Sequence, residues 1–116
     1  MIVWVSDRQD GDSYGIYGQR YDSSGVVVGN EFKVNTYVTN RQYGPSVTGL
    51  DSGGFVVVWE SNEQDGDGNG IYAQRYDASG VALGNEFRVN TYITSNQATP
   101  FIMTLSNGNF IVTWSS

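Results

Sequence analysis

The chain contains no cysteine and no histidine. The first absence excludes a disulfide framework and any thiolate metal site. The second removes the commonest general base and the commonest transition-metal ligand. Basic residues are few, 6 against 12 acidic ones, so the formal charge is −6. That balance argues against nucleic acid as a partner, because phosphate binding needs clustered Lys and Arg. It suits hard cations, whose ligands are oxygens. No apolar run approaches the roughly 20 residues of a membrane-crossing helix, so no membrane insertion is expected. Met1 leads straight into Ile2-Val3-Trp4, with no basic segment or cleavage site. Helical periodicity is missing too: Gly or Asn interrupts every window long enough for a helix.

What the chain does have is a repeat. Trp4, Trp59 and Trp114 stand 55 residues apart, a period that marks a repeat architecture. Each period offers four strand-like runs, read most clearly in the second as Pro45–Leu50, Phe55–Ser61, Ile71–Asp77 and Glu86–Asn90. Turn residues separate them, including Asp51-Ser52-Gly53-Gly54, Ala78-Ser79-Gly80 and Ser106-Asn107-Gly108-Asn109. Val26 to Asn30 reads as a crossing segment before the strand Glu31–Asn35. Pro45 and Pro100 fall at first positions of strands, where a missing N–H is tolerated. Blade boundaries are accordingly expected near 44/45 and 99/100, within one repeat domain spanning residues 1–116.

In the run Phe55–Trp59, Phe55, Val57 and Trp59 point one way and Val56 and Val58 the other, so the strand is apolar on both faces. A strand covered on both sides belongs to a sheet sandwiched between two others. The expected fold is therefore all-β, with two four-stranded antiparallel blades of a β-propeller. Counted by position in a blade, the strands run two-three-four, one-two-three-four, one-two: the repeat is circularly cut inside a blade. Propellers usually need about four to eight blades. Closure by homo-oligomerisation, as a trimer or tetramer, is the expectation, with Val56, Val58 and the Tyr face of Ile71–Asp77 at the contact.

Chemistry-bearing residues concentrate in one loop. Asp65-Gly66-Asp67-Gly68-Asn69-Gly70 matches the first half of a calcium loop, with Asp65, Asp67 and Asn69 at alternate positions. The bidentate Glu of such a loop would fall at Tyr76. The first copy keeps Asp10 and Asp12 but has Tyr14 at the third place. The alternative is a polar loop whose Asp and Asn bond their own backbone. The three Trp suit a core better than a sugar platform. Arg20 and Arg75 are expected to pair with Glu31 and Glu86, or with Asp22 and Asp77. Glu60 and Glu63 are a poor glycosidase pair, since Glu60 aligns with Val5 and Ser115 and nothing fixes the separation. The chain is not expected to be an enzyme.

The strings Gln-Asp-Gly-x-Gly-x-Gly-Ile-Tyr-x-Gln-Arg-Tyr-Asp, Gly-Asn-Glu-Phe-x-Val-Asn-Thr and Gly-Gly-Phe-Val-Val-x-Trp span Gln9 to Trp59 and Gln64 to Trp114, with Ser13 for one Gly in the first copy and Asn109 and Ile111 for Gly and Val in the second. They resemble repeats of very large bacterial surface and secreted proteins that carry hemolysin-type calcium repeats and cadherin-like domains nearby. The resemblance implies an extracellular or cell-surface setting and a binding, adhesive or scaffold role, with a glycan or cell-surface ligand among the partners. A carbohydrate-binding, lectin-like propeller with repeated sites is the alternative. Such repeats usually sit in longer chains, so a pair that starts mid-blade reads as an excised or engineered fragment.

Overall fold

The computed structural model describes residues 1–7, 9, 14–36, 40–62, 64, 66 and 68–116. Its elements are all strands: β1 (Ile2–Asp7), β2 (Tyr14–Tyr21), β3 (Val27–Lys33), β4 (Gln42–Gly49), β5 (Phe55–Asn62), β6 (Asn69–Tyr76), β7 (Ala82–Arg88), β8 (Ala98–Thr104) and β9 (Phe110–Ser115). They form three antiparallel sheets, ordered β1-β2-β3, β4-β5-β6-β7 and β8-β9. The all-β expectation holds, and so does the strand count of three, four and two.

Alternation of direction sorts the connections by length. Tight turns at 22–26, 50–54, 77–81 and 105–109 gather at one end, here the lower. Asp22 and Asp77 build two of them. Each places Oδ1 2.9 Å from two backbone N–H donors, Ser24 and Val26 in one turn and Ser79 and Val81 in the other. The opposite, upper end holds the described connection 89–97 and the other strand ends, among them Asp7, Tyr14, Asn62 and Asn69.

The central sheet is covered on both faces, as the apolar run of β5 requires. On one face Phe55, Val57, Trp59, Tyr72 and Tyr76 meet Ile16 and Val34 of the first sheet and its connection, with Met1, Val3 and Phe32 at the margin. Phe32, Phe55 and Tyr76 form an aromatic group with centroids 4.7–6.2 Å apart. On the other face Val56, Val58 and Ala73 meet Ile102, with Phe110 and Val112 beside it. Val56, Val58, Tyr72 and Tyr76 are thus buried within one chain. They are not the outward flanks expected for them, because the last sheet covers the two valines and the first sheet covers the tyrosines. The outward face of the last sheet carries Phe101, Met103 and Ile111, all exposed.

Two local readings change. Val27 to Asn30 is part of β3, paired through Val27 and Val28 with Tyr21 and Arg20, and not a crossing segment. Pro45 is the fourth residue of β4, not the first, and sits where the β4–β5 register shifts between Tyr43 and Ser46. Pro100 occupies the matching shift between Ala98 and Phe101. A bulge frees an N–H from the ladder, which is where a strand tolerates proline. The repeated glutamines serve another bulge. Gln19 Nε2 donates to the carbonyls of Arg20 and Gly29 at 3.2 Å, and Gln74 Nε2 to those of Arg75 and Gly84 at 3.0 and 3.1 Å. Carbonyls that the register shift takes out of the ladder are satisfied this way.

A second pair of repeated amides fastens the upper end. Asn35 Oδ1 accepts from Ile16 N at 2.8 Å while its Nδ2 donates to Gln42 Oε1 at 3.1 Å. Asn90 repeats this with Ile71 N at 2.8 Å and Gln97 Oε1 at 3.2 Å. All four amides are buried, so losing one partner would strand the other in a dry site at a cost of about 1–3 kcal/mol.

Candidate functional site

Of the candidate calcium ligands, Asp10, Asp12, Asp65 and Asp67 lie outside the described residues. Asn69 is the first residue of β6 and is buried. Its Nδ2 donates to the Tyr43 hydroxyl and, at 3.4 Å, to Glu60 Oε1; its Oδ1 accepts from Asn62 Nδ2 at 2.9 Å. Its backbone N–H reaches Asn96 Oδ1 at 3.0 Å and its carbonyl accepts from Gln97 N at 2.8 Å. Among the described residues no three Asp or Glu side chains converge on one point.

The centre of this network is Glu60, a carboxylate only 6 % exposed on β5. A buried carboxylate must be satisfied by donors, and Glu60 draws them from three elements. Thr99 N, on β8, donates to Oε2 at 3.0 Å, Asn69 supplies the bond to Oε1, and the Tyr43 hydroxyl, on β4, is a further side-chain donor. Burial, with the Glu60 charge adding to it, pushes the Tyr43 hydroxyl pKa upward. Thr99 lies in the left-handed region at φ 56°, where Gly44 stands one period earlier at φ 63°. A β-branched residue resists that conformation, and the bond to Glu60 helps hold it there. The network ties the central sheet to the last one.

Tyr43 also belongs to a cavity of about 250 Å³ between the first and central sheets, lined by Val5, Tyr14, Arg41 and Tyr43. The Arg41 guanidinium lies 5.3 Å from the Tyr14 ring centroid, a cation–π distance. Two phenol rings and a guanidinium offer flat apolar walls with donors at the rim. That combination suits a small polar ring compound.

The described lining residues fall where the two copies differ. One period on from Val5, Tyr14, Arg41 and Tyr43 stand Glu60, Asn69, Asn96 and Ala98. The two sets meet at the upper end, one making a cavity and the other a satisfied polar network. Reading the repeat for its matches passes over Arg41 and Tyr43. They are two of many positions at which the copies differ, so the sequence alone does not single them out. Glu60 is engaged by its donors, and Glu63 lies outside the described residues. The three Trp divide: Trp59 is fully buried, Trp4 is half-buried and Trp114 is 37 % exposed.

No family model matches the sequence, and no curated protein does either. Among solved structures the chain is similar to an endo-arabinase from Bacteroides thetaiotaomicron VPI-5482, with 15 % identity and a TM-score of 0.57. The match covers 97 % of this chain and 45 % of the endo-arabinase chain, so this chain spans less than half of its neighbour's length. At that identity the likeness concerns the fold alone, and the fold shared is of β-propeller type.

Proposed function

We propose that the chain is a non-enzymatic β-propeller module of a binding, adhesion or scaffold kind, acting outside the cell or at its surface. Its four-stranded central sheet is a complete blade, its flanking sheets are parts of neighbouring blades, and more repeats complete the ring. The observation that carries the binding role is a cavity that, among the described residues, one copy forms and the other does not. Val5, Tyr14, Arg41 and Tyr43 differ from their counterparts and line one cavity at the upper end. Connections held on a rigid sheet are where binding groups are usually placed. The resemblance to bacterial surface repeats supports the extracellular setting. Calcium bound by Asp65, Asp67 and Asn69, with Asp10 and Asp12 in the first copy, would brace the same end.

A carbohydrate-binding reading is favoured by the cavity's chemistry. Tyrosine rings can stack on the C–H faces of a sugar, and Arg41 can donate to its hydroxyls. The test is a glycan array followed by titration of any hit against wild type and Arg41→Ala. Saturable binding weakened about tenfold by the substitution is expected, as for one lost charged hydrogen bond. Binding unchanged by it would remove the cavity from the account, and release of shortened glycan would make the chain an enzyme.

A further inference from the structure

Among the described residues, three contacts at the outer strands help fasten the junction between the first and central sheets, beside the Tyr76 hydroxyl on the Val34 carbonyl. Arg20 of β2 reaches across to the lower turn of the central sheet, donating from both terminal nitrogens to the carbonyls of Ser79 and Ala78 at 2.9 Å. It does not pair with Glu31 or Asp22, whose carboxylates are taken by Gln9 and by the turn at 22–26. Phe32 of β3 sets its ring edge against Tyr76, centroids 5.4 Å apart. Thr36, after β3, donates to Glu86 of β7 from its N–H at 2.6 Å and from its hydroxyl.

The period repeats the giving half of these three contacts on the central sheet: Arg75, Phe87 and Thr91. All three are exposed, Phe87 to 41 %. The receiving half is repeated on the first sheet: Tyr21, the Ser23-Ser24 turn and Glu31. These are exposed as well, Tyr21 to 39 %. Glu31 is held from behind by Gln9 at 2.6 Å, as Glu86 is by Gln64 at 3.1 Å. The turn glycines mark the difference. Gly80, at φ 83°, leaves room for Arg20, whose Nη1 would lie 2.9 Å from an added Cβ; Gly25, at φ 80°, has nothing within 4 Å.

We infer that a second copy of this chain docks head-to-tail, with Arg75, Phe87 and Thr91 of one copy seated on Ser23-Ser24, Tyr21 and Glu31 of the other. This rests on the propeller reading above and assigns its blade-to-blade contact to residues. The second copy is the occupant because both halves of each contact exist on this chain, in the register of a junction already made within it. The two halves lie on different surfaces, so the contact is heterologous and can close a ring. β2 and β3 of the second copy then stand beside β8 and β9 of the first, as β6 and β7 stand beside β4 and β5. The exposed Phe101, Met103 and Ile111 are thereby turned toward the second copy's central sheet. β1 and β9 hold the same place in the repeat, and the three contacts are the same whichever of them pairs with β2.

The test separates the halves. A donor-defective chain carries Arg75→Glu and Phe87→Ser; an acceptor-defective chain carries Tyr21→Ser and Glu31→Lys. All four positions are exposed, and circular dichroism with a thermal melt verifies that each variant folds. Analytical ultracentrifugation should show self-association of each variant weakened at least about tenfold relative to wild type. An equimolar mixture should recover a heterodimer, since one intact junction remains available between the two. Wild-type association by either variant alone, or no recovery on mixing, overturns the inference while leaving the propeller reading in place. A wild-type chain that stays a folded monomer also overturns it, and the cavity reading is then judged by the glycan titration alone.

Discussion

The first and last sheets press on opposite faces of one central sheet, and they do so unequally. The first brings three strands and the last brings two. Both contribute an apolar layer: Val3, Ile16 and Val34 on one side, Ile102, Phe110 and Val112 on the other. Only the first has the outer strands, and with them come Phe32 against Tyr76 and Arg20 on the 78–79 carbonyls. Inner strands supply apolar area and some directional bonds, such as Thr99 N to Glu60 and Ile102 N to Ser46, and the outer strands with their turns add a second set at the far edge. Area alone is permissive about geometry, whereas bonds to two carbonyls from one guanidinium are not.

The comparison is most easily broken at the tryptophans. Trp59 is sealed by the first sheet, and Trp114, at the same place in the repeat, is not. Trp59→Ala should cost about 3–5 kcal/mol in urea unfolding, as for a large core side chain. Under dilute, monomeric conditions Trp114→Ala should cost about 1 kcal/mol or less, in the range of partly exposed sites. Equal losses would mean that the two positions are covered alike. The turn glycines give a finer cut. Gly80→Ala and Gly25→Ala impose the same positive-φ strain, about 1–2 kcal/mol. Only the first also displaces Arg20, so it should be worse by about 1 kcal/mol under dilute, monomeric conditions.

Much of this inequality was legible in the sequence. The 55-residue period, the doubly apolar β5 and the turn residues between runs fix the number of strands and their grouping. Bulges escaped, because the Gln19 and Gln74 side chains satisfy carbonyls that a pattern of apolar residues does not reveal. The Asn35–Gln42 and Asn90–Gln97 pairs escaped for a related reason. Seven residues apart in each copy, they look like loop polarity until Asn35 meets Gln42 and Asn90 meets Gln97 at the strand ends. Arg20 was assigned to nearby acids because sequence proximity hides the turn 58 residues away. The site was less legible than the fold: Tyr43 and Arg41 carry no motif and are two of many positions at which the copies differ.

A smaller effect follows from Tyr76. Burial, with the Glu86 charge adding to it, pushes its hydroxyl up to about 12. The unfolded chain loses that proton near pH 10, so the stability is fully present below about pH 10 and is lost as pH rises toward 12. Allowing for solvent screening, the loss should be about 1–2 kcal/mol, read from urea midpoints across that window. Tyr76→Phe should flatten the profile.

If the unequal sheets are two halves of one repeating junction, several chains share one particle in solution. Multi-angle light scattering on the wild-type chain at micromolar concentration should give three or four times the 12.7 kDa of one chain. A well-folded particle of 12.7 kDa that does not change with concentration would contradict it.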